Sequence, residues 1–425
     1  MDRIKPYIKA LHRCKPHLNV LLTMLIILAA APGVVRSLPG NVPAGEEPTA
    51  TQPNPAAALP SPADPAAPLV ESPAPGEPAP GETPSTPADP PVAEAAGSAP
   101  SVSRGKAKTG QYTVLGYYTH DYTGDNGSHN TLTAQHSAID IVCPFQYAVS
   151  GSGKLSGDKL NNLMRFASEK NKAVLVLIHN FANGSFSSSV AHQLLNSKTN
   201  RANAVQNIYN LLRDSGYDGV HIDIENVLPG DRAAYSAFVA ELKAKLAPSY
   251  LVTLAVPAKV SDNPKAGWVG GFDYAALGKH ADLITLMTYD EHWFGGAAGP
   301  IASVGWVEKV VRYAVDTIPR NKILLGIPTY GYDWSAAGTR GVTAAKAVQQ
   351  ASAAGAEIKW DAQAKVPYYY YWKGSTKHTV YYENSRSIGP KLDLVKKYKL
   401  AGIGIWKLGS ETKDVWPVIR AELEK

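Results

Sequence analysis

Two acidic residues stand two positions apart in the segment Gly216–Asn226, which reads Gly-Tyr-Asp-Gly-Val-His-Ile-Asp-Ile-Glu-Asn. Alternate side chains of a β-strand point to the same face, so His221, Asp223 and Glu225 share one face and the intervening Val and Ile residues take the other. A strand buried on both faces should be apolar on both, and buried carboxyl groups shift their pKa unless they are paired. The pattern indicates acid/base chemistry at a strand end. The alternatives are a structural ion cluster and a half-exposed edge strand.

Strand-like and helix-like segments alternate along the chain after Gln111, which predicts βα units and a parallel sheet. Eight such units favour an α/β protein with a (β/α)8 TIM barrel. The predicted strands are Tyr112–Thr119, Ile139–Val149, Ala173–Phe181, Gly219–Asn226, Leu251–Ala258, Leu283–Asp290, Ile323–Tyr332 and Gly402–Gly409. The predicted helices include Lys159–Lys170, Arg201–Ser215, Asp231–Leu246, Val304–Thr317 and Pro390–Tyr398.

The seventh unit is interrupted by a small α+β insertion at about residues 333–389. It contains a predicted helix and three strand-like pieces, which are Thr343–Ala354, Glu357–Asp361, Pro367–Trp372 and His378–Glu383. We expect the insertion to stand beside the barrel mouth and deepen the cleft. The five aromatic residues of Tyr368–Trp372 are consistent with a sugar-stacking wall or with packing onto the barrel, and we expect both faces to be used.

Catalytic groups of such barrels lie at the carboxyl ends of the strands. The fourth predicted strand ends in the Asp-Ile-Glu sequence, and the sixth ends in Tyr289 and Asp290. On the eighth, Gly402, Gly404 and Trp406 share a face, and the two glycines leave room for a large ring across the barrel floor. Together these strand ends favour a carbohydrate site.

At these residues the chain resembles glycoside hydrolase family 18. The family motifs D-G-x-D/N-x-D-x-E, M-x-Y-D and a tryptophan on the eighth strand are matched by Asp218, Gly219, Asp223, Glu225, Met287, Tyr289, Asp290 and Trp406. The match extends over residues 112–425. Within the family the chain looks most like the spore-cortex and germination branch of bacterial N-acetylglucosaminidases, in part because of Tyr381–Asn384.

The resemblance implies substrate-assisted retaining hydrolysis, in which the 2-acetamido group of the sugar is the nucleophile. Glu225 would be the general acid and then the general base. Asp223 would orient the acetamido N–H, and Tyr289 would donate a hydrogen bond to the acetamido oxygen. The resemblance implies no metal and no cofactor.

The same resemblance implies a set of residues around the sugar. The expected substrate-binding residues are Trp406, Asp290, Met287, Tyr117, Asn180 and Tyr330, with Asp218 and His221 behind the catalytic groups. His221 departs from the family, which usually has Asp or Asn there. A neutral His221 could hydrogen-bond Asp223, a protonated one would favour ionised Asp223, and a buried polar filler is the third interpretation.

Residues 1–37 are predicted to be an export signal, because a basic segment precedes an apolar run. The signal is either cleaved or kept as a membrane anchor through residues 18–35. Residues 38–108 are predicted to be a disordered Pro/Ala-rich linker, since 18 of the chain's 32 prolines fall between Pro39 and Pro100. Residues 109–425 would form the catalytic barrel. We therefore expect a secreted protein, or one associated with the cell envelope or spore.

The expected partner is a polysaccharide that contains N-acetylglucosamine, either peptidoglycan or chitin. The alternatives are a chitinase, a muramidase and a non-catalytic, lectin-like barrel.

The net charge of +6 comes without a basic stripe interleaved with aromatic residues, so no nucleic-acid partner is expected. No H-E-x-x-H motif is present, which disfavours a zinc hydrolase. We expect a monomer, and Cys143 is the lone cysteine of the predicted barrel, so no disulfide framework is expected.

Overall fold

The structure is a computed structural model that describes residues 111–424. The predicted export signal, residues 1–37, and the predicted linker, residues 38–108, lie outside the described residues, as does the predicted membrane tether through residues 18–35. Within residues 111–424, none of the helices combines the length and the apolar character needed to cross a bilayer.

Strands and helices alternate along most of the described chain. In chain order the strands are β1 Thr113–Tyr118, β2 Ile141–Val149, β3 Leu155–Ser156, β4 Ala173–His179, β5 Phe181–Ala182, β6 Ser185–Phe186, β7 Gly219–Asp223, β8 Leu251–Pro257, β9 Leu283–Met287, β10 Ile323–Pro328, β11 Tyr330–Ser335, β12 Gly338–Thr343, β13 Lys359–Asp361, β14 Val366–Lys373, β15 Thr376–Tyr382 and β16 Gly402–Trp406. The helices are α1 Gly127–Gln135, α2 Asn161–Glu169, α3 Ser188–Leu195, α4 Lys198–Ser215, α5 Arg232–Leu246, α6 Tyr274–His280, α7 Val304–Thr317, α8 Ala344–Ala353, α9 Ser385–Lys397 and α10 Val415–Leu423.

Eight parallel strands close into a barrel, which confirms the predicted (β/α)8 fold. Their order is β1, β2, β4, β7, β8, β9, β10 and β16, and β16 pairs back with β1. The helices that follow the barrel strands pack on its outside through their buried apolar side chains. In α7, for example, Ser303 caps the first turn by accepting the Trp306 N–H, and Val307, Val310 and Val311 are buried against the barrel.

Strand β7 divides its side chains as its alternating sequence predicts. Val220, Ile222 and the following Ile224 join the apolar layer between the barrel and its helices. His221 and Asp223 face the barrel interior, and both are buried. The interior is otherwise filled mainly by apolar side chains, among them Leu115, Ile141, Leu175, Leu177, Leu283 and Leu324. The polar face of β7 is therefore set into an apolar interior.

Three aspartates bind neighbouring strands at the amino-terminal end of the barrel. Asp140, Asp218 and Asp282 each stand one residue before a strand. Each donates its backbone N–H to the C=O of one valine on the preceding barrel strand. The carboxylate of the same aspartate accepts a hydrogen bond from the N–H of that valine. The valines are Val114, Val174 and Val252, and every carboxylate–N–H distance is 2.8 Å. We name these three residues the seam aspartates.

The insertion is a five-stranded antiparallel sheet in the order β12, β11, β15, β14, β13, with α8 packed against it. It begins earlier than about residue 333, because the predicted strand Ile323–Tyr332 is two strands. Barrel strand β10 ends at Pro328, and β11 starts the inserted sheet at Tyr330. Thr329 lies between them, where the chain leaves the barrel sheet and enters the inserted sheet.

Two other predicted boundaries were wrong for local reasons. The predicted strand Ala173–Phe181 ends at His179, and Phe181 instead begins a separate two-stranded hairpin, β5–β6. Helix α9 begins at Ser385 rather than Pro390, because Asn384 and Ser387 form a capping box upstream of the proline.

The glycines below Trp406 do not leave an open floor. A Cβ atom on Gly404 would lie 2.7 Å from the Thr285 side chain, and one on Gly402 would lie 1.9 Å from the backbone oxygen of Thr113. The space beside Gly404 is thus filled by Thr285, and Gly402 allows a close approach of two strands.

Candidate active site

Glu225 lies in the loop that follows β7, at the carboxyl-terminal mouth of the barrel, and its side chain is half-buried. Asn180, which follows β4, accepts a hydrogen bond from the Glu225 N–H at 2.9 Å and donates one to the Glu225 C=O at 2.8 Å. Asn180 is fully buried, so it holds the Glu225 backbone and does not line the cleft as predicted. Ile224 and Val227, both buried, anchor the loop on the apolar side.

The carboxyl groups of Asp223 and Glu225 are electrostatically linked. Burial raises the pKa of Glu225 well above its ordinary value, and the charges of Asp223 and Asp290 raise it further. Burial also raises the pKa of Asp223. The Oδ1 atom of Asp223 is buried and has no hydrogen-bond donor among the described residues. Because two such groups cannot both ionise cheaply, the pair can retain one proton near neutral pH.

Tyr289 follows β9 and lies near these carboxyl groups. Loss of solvent raises the pKa of its hydroxyl well above the usual value, and the charges of Tyr117, Asp223 and Glu225 raise it further. The hydroxyl therefore stays protonated and can donate a hydrogen bond. Gly326 on β10 makes room for the ring, because a Cβ there would lie 3.0 Å from Cε1 of Tyr289.

Trp406, the last residue of β16, is half-buried at the mouth among other rings. Its ring meets Tyr117 edge-on at 5.2 Å and Phe145 at 6.1 Å between centroids. Tyr117 is buried, with an exposed fraction of 1 %, so it supports Trp406 from inside the barrel and has little surface for a ligand.

His221 is fully buried and bonds groups other than Asp223. Its Nδ1 lies 2.8 Å from the Thr253 hydroxyl and its Nε2 lies 2.9 Å from the Tyr117 hydroxyl. The Thr253 hydroxyl donates its hydrogen to the Val220 carbonyl, so we assign the ring proton to Nδ1 and let Tyr117 donate to Nε2. Burial lowers the pKa of His221 to about 3, which keeps the ring neutral. Of the three interpretations of His221, a hydrogen bond to Asp223 is absent among the described contacts, and the ring is instead a neutral polar group bonded to Tyr117 and Thr253.

Asp290 joins the barrel mouth to the inserted sheet. Its carboxylate accepts hydrogen bonds from Tyr330 at 2.5 Å and from Tyr332 at 2.9 Å. Its backbone is left-handed, with φ of 61°. Tyr330, a predicted substrate-binding residue, therefore lies beside Asp290 at the barrel mouth. Tyr332 was not predicted.

Met287 and Asp218, two other predicted site residues, lie at opposite ends of the barrel. Met287 ends β9 and faces the barrel interior near the mouth, half-buried. Asp218 is a seam aspartate at the other end of β7, about 16 Å from Asp223 by the rise of a strand. It holds β4 to β7 and makes no contact with Asp223 or Glu225 among the described contacts, which differs from its predicted place behind them.

His179 also lies at the site, although the sequence did not predict it. It ends β4 in register with Asp223 of β7, and its ring stacks on Phe145 at 4.2 Å. Nδ1 accepts the Phe181 N–H at 3.2 Å, which leaves Nε2 as the donor of the ring. Burial lowers the pKa of His179 to about 4. The signal in the sequence was a histidine at the carboxyl end of an apolar run.

These groups form a site for acid/base chemistry. The barrel mouth carries two carboxyl groups with raised pKa values, one of them with an unpaired oxygen, together with the phenol of Tyr289 and the ring of Trp406. Among residues 111–424, no group of three or more His, Cys, Asp and Glu side chains is placed to hold a metal ion.

Comparison with known proteins identifies the family. The model of glycosyl hydrolases family 18 matches residues 113–411. An uncharacterized glycosylase of Bacillus subtilis, YvbX, is 32 % identical over 75 % of this chain and 93 % of its own length. The spore cortex-lytic enzyme SleL of Bacillus megaterium superposes with a TM-score of 0.69 at 29 % identity, over 74 % of this chain and 75 % of its own. A chitinase from Chromobacterium violaceum gives 0.68 at 29 % identity, over 74 % and 99 %. The chain belongs to glycosyl hydrolases family 18.

Proposed function

We propose that the protein cleaves β-1,4 bonds next to N-acetylglucosamine in peptidoglycan, by substrate-assisted retaining hydrolysis. The observation that carries the proposal is the position of Asp223 and Glu225 at the carboxyl end of β7, where burial raises the pKa of both carboxyl groups. Glu225 reaches solvent at the cleft while Asn180 fixes its backbone. A general acid needs such a retained proton and a fixed position.

The reaction has two steps. In the first, Glu225 gives its proton to the glycosidic oxygen while the acetamido carbonyl oxygen of the substrate attacks the anomeric carbon, and an oxazolinium ion forms as the leaving sugar departs. Asp223 accepts the acetamido N–H through its unpaired oxygen and stabilises the positive charge. Tyr289 donates a hydrogen bond to the acetamido oxygen. In the second step, ionised Glu225 takes a proton from water as the water oxygen attacks the anomeric carbon. The bond between the acetamido oxygen and that carbon breaks, and the product sugar has its original configuration.

The neutral His221 is compatible with this chemistry. It holds Tyr117 through a hydrogen bond, and Tyr117 in turn contacts Trp406. A cationic histidine below Asp223 would favour the ionised carboxylate, so the carboxyl pair would retain its proton less well. The low pKa of His221 removes that effect.

Peptidoglycan is the favoured substrate because a relative with this fold is a spore cortex-lytic enzyme. The predicted export signal and linker fit a secreted enzyme at the cell envelope or spore. Chitin is the second candidate, since a chitinase of similar fold covers the same share of the chain.

Mass spectrometry of digestion products tests the proposal. Spore-cortex peptidoglycan, vegetative peptidoglycan and chitin are incubated with the protein and with Glu225→Gln, which keeps the shape but cannot donate the proton. We expect reducing-end N-acetylglucosamine from peptidoglycan with the unmodified protein alone. Reducing-end muramic acid would instead identify a muramidase, and products from chitin alone would identify a chitinase. Binding without products would identify a lectin-like barrel.

A further inference from the structure

The inserted sheet has two unlike faces. On one face, Tyr369 donates to the Ala347 C=O at 2.8 Å and Tyr371 donates to Asp333 at 2.7 Å, so both rings pack under α8. The opposite face carries rings from three neighbouring strands. We define the aromatic face by its six members, Tyr332, Trp334, Tyr368, Tyr370, Trp372 and Tyr381. Strand pairing places Tyr332, Tyr381 and Tyr368 side by side across the sheet.

The rings of the aromatic face follow one another outward from the active site. Tyr289 meets Tyr330 at 6.3 Å, and Tyr330 meets Tyr332 at 5.4 Å between centroids. Three further contacts of the series are Tyr332–Trp334 at 5.4 Å, Trp334–Tyr381 at 6.4 Å and Tyr381–Tyr368 at 5.1 Å, and Tyr368 then meets Tyr370 at 5.5 Å. Ring contacts thus join the face to Tyr289 of the candidate active site, with Trp334, which is only 6 % exposed, as a buried link.

The outer end of the aromatic face is open and carries two lysines. Trp372 is 65 % exposed and Tyr370 is 39 % exposed, which is unusual for such large rings close together. Lys377 lies with its Nζ 4.3 Å from the centre of the Tyr370 ring, and Lys359 is exposed beside Tyr368 on the same face. Asp361, the acidic residue of β13, is engaged in its own turn by the N–H groups of Gln363 and Ala364.

We propose that the aromatic face binds further sugars of the same peptidoglycan strand that enters the active site, with Lys377 and Lys359 facing the carboxylates of that polymer. The inference rests on the proposed function, because that function supplies the polymer that would occupy the aromatic face. Flat rings with hydroxyl tips suit sugar faces, which are apolar in the middle and polar at the rim. Continuity with Tyr289 identifies one strand rather than a separate ligand, and the lysines favour an anionic polymer over neutral chitin.

Binding to insoluble polymer tests the proposal. In the full-length Glu225→Gln protein, which should not digest the polymer, the double change Trp372→Ala with Tyr370→Ala removes the two exposed rings. Dissociation constants are measured by depletion with purified peptidoglycan sacculi and with chitin. We expect about tenfold weaker binding to sacculi, the usual effect of removing exposed aromatic anchors. Trp268→Ala is the matched control, because Trp268 is 54 % exposed in another loop. Thermal melting verifies that each variant is folded.

A second variant tests the class of polymer. Lys377→Glu should weaken binding to sacculi and leave binding to chitin within about twofold, and the loss should shrink at high salt. Sacculus binding that is unchanged in the double variant, or that falls equally in Trp268→Ala, would overturn the aromatic face as a binding site. A Lys377→Glu variant that binds sacculi normally would overturn the assignment to an anionic polymer.

Hydrolysis by the unmodified protein is measured separately, so that the two proposals fail independently. If it releases no sugar from any polymer while binding still depends on Trp372, the proposed activity is wrong and the aromatic face stands. If it digests sacculi while binding ignores Trp372 and Tyr370, the activity stands and the aromatic face is wrong.

Discussion

Replacing His221 with asparagine should make the stability of the protein less sensitive to acid. The imidazole lies inside the barrel, where it bonds Tyr117 and Thr253, and its exposed fraction is zero. Asparagine removes the titrating ring and keeps a polar amide in the same place. Because the amide cannot reproduce the imidazole hydrogen bonds to Tyr117 and Thr253, the variant should be less stable at pH 7 by about 1–3 kcal/mol. The informative quantity is how this difference changes with pH.

The size of the change follows from the pKa of His221, which burial lowers from 6.5 to about 3. Below about pH 6.5 the unfolded chain takes up a proton on this ring, whereas the folded protein does not until about pH 3. The stability that depends on neutral His221 is therefore complete above pH 6.5 and is lost as the pH falls toward 3. At pH 5, about 1.5 units below the unfolded pKa, the unfolded state gains about 2 kcal/mol.

Urea unfolding followed by tryptophan fluorescence at pH 7 and pH 5 measures this effect. The unmodified protein should lose about 2 kcal/mol more between the two pH values than His221→Asn does. His120→Asn, at an exposed position, should keep the pH dependence of the unmodified protein. Equal losses in the unmodified protein and in His221→Asn would refute a buried, neutral His221.

Further changes test other parts of the structure. Tyr289→Phe removes the phenol donor without changing ring shape, so kcat on a short chitooligosaccharide should fall about 10²-fold with little change in KM; an unchanged kcat would exclude the donor role. Gly326→Ala would place a Cβ 2.2 Å from the Leu286 oxygen and 3.0 Å from the Tyr289 ring, so chemical denaturation should show a loss of about 1–3 kcal/mol together with reduced activity. Gly305→Ala in α7, with nothing within 4 Å of the new Cβ, is its control and should cost no stability. Lys391→Met removes the ammonium group that lies 2.8 Å from the buried Glu383 carboxylate and leaves only the Ser387 hydroxyl among the described contacts of that carboxylate, so it should cost about 3–5 kcal/mol by urea unfolding. Adding Glu383→Gln should restore part of that loss, and a double variant as unstable as Lys391→Met would contradict the unpaired charge as the cause.

The alternating sequence of β7 was enough to predict which side chains face the barrel interior. Period-two alternation forces Asp223 and His221 to one side whatever surrounds the strand, and the carboxyl end of a barrel strand is where chemistry is found. The same reasoning placed Tyr289, Asp290 and Trp406 at the mouth. These predictions depend only on strand geometry and chain direction, which a sequence displays directly.

The remaining features depend on contacts between strands that the sequence does not display. His179 enters the site because β4 pairs in register with β7, and nothing within its own strand indicates that partner. Asn180 holds Glu225 across the same seam, and it is buried for that reason. Asp218 belongs to a catalytic motif in sequence yet lies at the opposite end of its strand. Nothing in the sequence at Thr329 indicates the end of a strand, so β10 of the barrel and β11 of the inserted sheet were predicted as one strand.

The seam aspartates have a consequence for the symmetry of the barrel. They occupy equivalent positions at three strand boundaries, β1 with β2, β4 with β7, and β8 with β9. At the equivalent position of the last pair, β10 with β16, Ala401 makes the same backbone bond to Ile323 but has no carboxylate. The barrel is therefore a ring of four two-strand repeats, three of them locked in register by a side chain. A slip of one residue at a locked boundary would separate the carboxylate from its N–H group. The unlocked repeat is the one that contains the inserted sheet.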